Sequence, residues 1–352
     1  MTDRPTRPTR FLLLAAVMFG IGGFTAAGGM PCGVLAAQPS CNVLITPGPT
    51  PDILDNVRVD GPDTFAPREQ SRLVMATISV TERLNWRTYL SARNSVRDDV
   101  TVRTAIFPDG ETRADTQARN VAAMRESQRA AEQAAHRHVF GSAPPTRGVE
   151  ILAHTTKSVL TDLPEGAVIT ALNGVPITTV DALDRRLAAV DDGADVTLET
   201  ATGRRVTVTK PREKPVFGVY VAPAVTLPFA VAVDAGVVGG PSAGLLFGVA
   251  ITEQLTERSL IGALRVSGTG TLAPDGAVGA VGGIKQKLFA AGSVQSDVDV
   301  FLLPYANRSQ LARVTVEREL AVVLVTSLAD ALDALHQLNT GGTPKDMVTL
   351  RP

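Results

Sequence analysis

The sequence predicts an α+β fold preceded by a helix across a membrane. Three observations point there: an uncharged apolar run at Phe11–Ala37, a strand, turn, helix and hairpin order over residues 163–210, and alternating strand-like and helix-like segments from Val216 to Leu338. A chain of 352 residues has room for two modest domains. Its apolar content of 44% suffices for buried cores, and with 4% aromatics those cores are built mainly from Val, Leu, Ile and Ala. A net charge of −1 offers no basic field to hold a polyanion, so nucleic acid is not an expected partner.

The run "FLLLAAVMFGIGGFTAAGGMPCGVLAA" is long enough to cross a hydrocarbon core of roughly 30 Å. Arg4, Arg7 and Arg10 precede it, and the next basic residue is Arg58. The positive-inside rule therefore makes residues 1–10 a cytoplasmic tail and residues 11–37 a span in contact with membrane lipid. The remainder, with any active site, is expected outside the cytoplasm. A cleaved signal peptide is the alternative, because Ala26–Ala27 and Ala36–Ala37 are small pairs suited to cleavage. The two cysteines, Cys32 and Cys41, either pair in an oxidising compartment or remain thiols. No Cys/His cluster has metal-ligand spacing, so neither a metal nor another cofactor is expected. His136 and His138 fall in a polar helical stretch and are expected to be solvated.

Residues 38–147 read as an extracytoplasmic segment. It has a Pro/Gly-rich exit, a strand at 71–81 ("SRLVMATISVT") and a helix at 112–138, where apolar positions recur three and four apart. "GSAPPTRG" breaks that helix and marks a boundary. Over 148–212, "AVITALNG" alternates as a strand and ends in an Asn-Gly turn. "TTVDALDRRLAAV" is a short helix capped by Thr179 or Asp181, and "DVTLETATGRRVTVT" is a hairpin turning at Thr202–Gly203. This order, with the phrase "EGAVITALNGVPI", resembles a PDZ domain. The resemblance implies a module that adds an extended peptide as a strand beside a groove. The loop that would receive the peptide's carboxylate falls in "ILAHTTKSVLTDLPEG", which departs from the family's small-apolar pattern.

"PREKPVFG" reads as a linker to a mixed α and β domain at 216–340, followed by a tail at 341–352. Within it, "VVGGPSAGLLFG" places Ser242 between small residues at the mouth of a helix. Small residues permit close backbone approach, and the unpaired N–H groups at a helix start favour developing negative charge. Such a turn supplies a nucleophile and an oxyanion hole together, or else a serine that only caps the helix. "GPSAG" also fits the nucleophile elbow G-x-S-x-G, which calls for a downstream histidine; His336 is the sole candidate. The other candidate base is a lysine whose ordinary pKa of about 10.4 must fall by desolvation before it can accept a proton. Lys285 and Lys287 in "VGGIKQKLFAAG" point to nearly opposite sides of a helix, and the pattern alone does not choose between them.

"GPSAG", then "GTGTLAPDGAVGAVGGIKQKLFAA", then "FLLPYANRSQL" resemble, in order, the proteolytic domain of Lon proteases. The resemblance implies a mixed α/β fold with a Ser-Lys dyad. In that family the lysine is the last residue of G-G-[ILV]-x-x-K, here Gly282, Gly283, Ile284 and Lys287. Thr269, in a Thr-Gly pair, corresponds to the hydroxyl residue that holds the lysine amine. Backbone amides at Gly239 and Gly240 are the candidate oxyanion donors, although many Lon enzymes have Asp where Gly239 stands. No G-x-x-x-x-G-K-[ST] occurs, so no ATPase module is expected. The full order resembles the membrane-anchored, PDZ-containing Lon-like proteases of bacteria. That implies an ATP-independent serine endopeptidase with Ser242 as nucleophile, Lys287 as base, extended protein or peptide segments as substrates, and assembly as a homo-oligomer. The alternative is a PDZ-based membrane scaffold with an idle protease-like domain.

Overall fold

The computed structural model describes residues 39–108, 110–212, 215–234 and 240–352. In chain order the strands are β1 (Asn42–Pro47), β2 (Val57–Asp60), β3 (Arg72–Met75), β4 (Ile78–Thr81), β5 (Asp99–Val102), β6 (Thr146–His154), β7 (Val168–Leu172), β8 (Val175–Pro176) and β9 (Asp195–Thr200). They continue with β10 (Arg205–Thr209), β11 (Val219–Val225), β12 (Ala230–Val233), β13 (Arg265–Gly268), β14 (Thr271–Leu272), β15 (Val278–Gly279), β16 (Val300–Pro304), β17 (Leu320–Val325) and β18 (Met347–Leu350). The α-helices are α1 (Trp86–Arg93), α2 (Arg113–Phe140), α3 (Val180–Ala188), α4 (Gly244–Gln254), α5 (Ile284–Ala291) and α6 (Leu328–Asn339).

Two compact units result. The smaller takes its described residues from the stretches ending at Pro47 and spanning Ile78–Gly110. In it β1 lies between β4 and β5, antiparallel to both. Its helix α1 starts at Asn85, whose side chain accepts a hydrogen bond from the Thr88 N–H at 2.8 Å, a standard N-cap. Cys41, just before β1, is buried and disulfide-bonded.

The larger unit, Gly48–Thr77 with Glu111–Pro352, is built on a sheet of order β18-β17-β16-β13-β3. Four of its strands run parallel, and only β18 is antiparallel. Parallel strands covered on both faces read as continuous apolar runs. The "VFLLP" of β16 is such a run, buried at every position. Val300 and Leu302 face the cluster that contains α4 and α6, whereas Phe301 and Leu303 face Ile284 and Leu288 of α5. The helix α4 is buried along its whole length. That explains why "GLLFGVAI" is apolar all round rather than on one stripe. At its far end the buried Gln254 side chain substitutes for a strand: it accepts from the Val59 N–H at 3.0 Å and donates to the Val57 carbonyl at 2.9 Å.

A second, antiparallel sheet has the order β10-β9-β7-β6-β11, with β8 beside β7. Asn173 and Gly174, both at positive φ, close the turn between β7 and β8. Of the two candidate caps for α3 it is Thr179 that accepts, from the Ala182 N–H at 3.1 Å. Leu183 and Leu187, one turn apart, bury α3 against Val149, Ile151, Leu198 and Val219.

The structure departs from the sequence-based expectations in four places. No helix among the described residues is long and apolar enough to cross a membrane, and the expected span at 11–37 lies outside them. The longest described helix, α2, carries Arg, Glu and Gln throughout. The expected fold class is corrected accordingly: the described chain is mixed α/β around a parallel sheet, not α+β with a transmembrane helix. The single strand expected at 71–81 is two, β3 and β4, interrupted at Ala76–Thr77, and they belong to different sheets. β3 pairs with β13, so the sheet of the larger unit recruits an edge from far upstream. Finally, His136 is buried, its Nδ1 bonded to the Ser142 carbonyl at 3.0 Å, because the helix turns that face inward; His138 is exposed as expected.

A Cβ built on Gly268 would lie 2.9 Å from Leu302 Cβ and 3.2 Å from Leu246 Cδ2. Gly268→Ala is therefore expected to destabilise the protein by about 1–3 kcal/mol through overpacking. Urea unfolding should show a lower midpoint at an unchanged slope.

Candidate active site

Ser242 occupies a single 3-10 turn, Pro241–Ala243, that runs directly into α4. Gly240 before it has φ +94° and ψ 161°, a conformation that other residues rarely adopt. That glycine sets the direction in which the chain enters the turn, and Ser242 is half-buried at the helix mouth.

The strand β13 ends at Gly268, and Thr269 follows with its side chain fully buried. Thr269 Oγ1 donates to the Ser242 carbonyl at 3.0 Å, and the N–H of Gly270 donates to the same oxygen at 2.9 Å. Gly270 in turn offers its carbonyl to the Leu245 N–H at 3.1 Å, closing the junction with α4. Its φ is +156°, and a Cβ there would meet Val278, Leu245 and Pro304 at 3.1–3.3 Å, so the backbone angle and the tight surroundings both favour glycine.

The helix α5 begins at Gly283, in the left-handed region, and packs Ile284 and Leu288 into the core. Lys287 lies on the buried side at 2% exposure. Its Nζ donates to Thr269 Oγ1 at 2.8 Å. Burial, with no facing carboxylate among the described residues, disfavours the ammonium, and desolvation lowers the Lys287 pKa to about 8. Lys285, two residues earlier, is half-buried on another side of the helix. The buried hydroxyl therefore accepts from the Lys287 amine while donating to the peptide of Ser242.

Ser242, Thr269 and Lys287, which lie far apart along the chain, are thus joined in one hydrogen-bonded run. Gly239 lies outside the described residues. Gly240 is adjacent to the turn, and its N–H donates to the Asn120 carbonyl of α2 at 3.3 Å. His336, in the last turn of α6, is half-buried, and no side-chain hydrogen bond links it to Ser242. Two contacts are not foreseen from the sequence. The Asn120 carbonyl and the Ser127 hydroxyl, which donates to the Pro241 carbonyl at 3.1 Å, both come from α2. The sequence signal for them is faint: Ser127, Ala131 and Ala134 form a small-residue stripe on that helix.

Comparison with known proteins finds a match for one domain of the chain. Residues 229–337 match the family described as the Lon protease (S16) C-terminal proteolytic domain. No curated protein matches the chain.

A lysine with a pKa near 8 loses its proton as pH rises through that value. The rate at which a fluorophosphonate phosphonylates Ser242, with loss of fluoride, should climb with pH, with a midpoint near 8, and then level off. The unfolded chain retains the ordinary lysine value, near 10.5, so between about 8 and 10.5 it binds the extra proton. The contribution of this group to stability should therefore improve as pH rises through that window. Labelling rates and melting temperatures measured across pH 6–10 check both expectations.

Proposed function

We propose that the protein is an ATP-independent serine endopeptidase in which Ser242 is the nucleophile and Lys287 the general base. One observation carries this reading within a Lon-type proteolytic domain: a buried amine of depressed pKa, 2.8 Å from a hydroxyl that is itself bonded to the Ser242 peptide. Neutral Lys287 accepts the Ser242 proton as Oγ attacks the scissile carbonyl. Thr269 holds the amine in place. Of the two expected oxyanion donors, Gly239 and Gly240, the Gly240 N–H is turned to the Asn120 carbonyl at 3.3 Å, so it would have to leave that partner to serve the developing oxyanion. The lysine then returns its proton to the leaving amine, and water hydrolyses the acyl-enzyme.

Substrates are extended segments of protein. Support comes from β12, which pairs only with β2 among the described strands and shortly precedes the Ser242 turn in the chain. A groove lined by Arg125, Glu132, Glu150, Glu165, Val231 and Val233 runs beside it. A strand laid along such an edge satisfies its own backbone and enters the site unfolded.

The sheet of β6–β11 serves as a PDZ-like peptide module. One of its two edge strands, β11, packs beside α3. The turn before β11 holds Phe217 and Gly218 at positive φ, and their carbonyls point inward to the N–H groups of Val159 and Thr155. The disulfide at Cys41 supports an oxidising compartment outside the cytoplasm as the place of action.

The test is cleavage of casein and of an unstructured peptide by the purified chain. Ser242→Ala and Lys287→Ala are each expected to lower kcat by about 10³-fold or more while leaving the fold intact. Adding ATP should change nothing. Wild-type rates in both variants would refute the dyad, and fluorophosphonate labelling of Ser242 separates an active enzyme from a scaffold.

A further inference from the structure

The direction of a side chain is set by the two peptide planes that flank its Cα. For Ser242, the plane that follows is held by its carbonyl, which accepts from Thr269 and from Gly270. The plane that precedes contains the Pro241 carbonyl. That oxygen accepts from the Gly244 N–H within the turn and from Ser127 Oγ at 3.1 Å. Ser127 lies outside the matched proteolytic domain, on the buried face of α2, at 4% exposure. Its hydroxyl thus does for the first plane what Thr269 does for the second. The fit is close: a Cβ on Gly244 would sit 2.7 Å from Ser127 Oγ. The small residues at this crossing allow α2 to approach the turn directly.

α2 is also fastened to the antiparallel sheet. Arg129 makes a two-pronged bond to Glu150 of β6, at 2.8 and 2.9 Å, and bonds the buried Glu132 at 2.9 Å. Arg125 pairs with Glu165 at 2.6 Å and with the Leu152 carbonyl. Asp115 accepts from the Thr156 N–H at 2.7 Å. Ala122 packs against Leu152, Ala153 and Ala222. One face of the helix therefore grips β6 and β11 while another grips the turn that carries Ser242.

We propose that Ser127 is a positioning residue for Ser242, and that through it α2 fixes the nucleophile relative to the β6–β11 sheet. The proposal rests on the reading of Ser242 as nucleophile. With the hydroxyl removed, the Pro241–Ser242 peptide keeps only its in-turn bond, and Ser242 Oγ samples directions away from the lysine.

The experiment compares Ser127→Ala, and the isosteric pair Ser127→Thr and Ser127→Val, with wild type in the full chain. Peptide cleavage is measured per active site titrated with a fluorophosphonate, so that any unfolded fraction drops out. Ser127→Ala is expected to lower kcat about fivefold, the scale of one hydrogen bond, with KM within twofold. The pH midpoint of labelling should stay near 8, because Lys287 and Thr269 are untouched. Should Ser127→Ala yield no folded protein, Thr must exceed Val by a similar factor, since the two differ only in the hydroxyl. An unchanged kcat per titrated site in Ser127→Ala, or equal rates for Thr and Val, overturns the proposal. A Ser242→Ala control that remains active overturns the nucleophile reading instead.

Discussion

The site depends on one buried hydroxyl. A lysine amine taken out of water loses solvation worth several kcal/mol and must either find a partner or give up its proton. Thr269 is a partner that carries no charge. It accepts from Lys287 Nζ at 2.8 Å, and no carboxylate among the described residues stabilises the ammonium, so the pKa stays depressed and the amine can take a proton. Its own proton goes to the carbonyl of Ser242 at 3.0 Å, which ties the Lys287 amine to the backbone of Ser242. An aspartate at that position would hold the amine more tightly and keep it protonated.

The rest of the larger unit holds that hydroxyl still. Strand β13 is flanked by β3 and β16, so Thr269 emerges from the interior of a parallel sheet rather than from a free loop. The apolar cluster on one face carries α4 and with it the Ser242 turn, while the cluster on the other face carries α5 and Lys287. The Ser242 backbone and the Lys287 amine therefore come from opposite sides of the sheet and are linked through Thr269 at its end, the usual location of sites in open α/β sheets. Stability and site geometry share the same packing, which is why a Cβ at Gly268 would meet Leu302 at 2.9 Å and one at Gly270 would crowd Val278, Leu245 and Pro304.

Much of this is legible in the primary structure, for physical reasons that differ by element. Helix α2 extends from Arg113 to Phe140, against an expected 112–138, because its Thr112 cap and Gly141 stop are local signals. The Asn173–Gly174 turn and the short helix capped by Thr179 are equally local. The break at Ala76–Thr77 is not, since β3 and β4 differ in the partners they pair with rather than in composition. The buried state of His136 is also hidden, because only the packing of α2 decides that its ring lies against Phe140 and Phe229.

By itself the sequence determines which chemistry is on offer: a serine among small residues, a Thr-Gly pair and a lysine three residues beyond Ile284. Those groups are fixed by covalent order and by turn chemistry that acts over a few residues. It does not determine that Lys287 rather than Lys285 reaches Thr269 by geometry alone, since either side of a short helix can be the buried one. Nor does it connect Ser127 with Pro241, 114 residues later. Those choices belong to tertiary structure, because burial and the pairing of distant polar groups are settled only when whole faces of helices and sheets are matched.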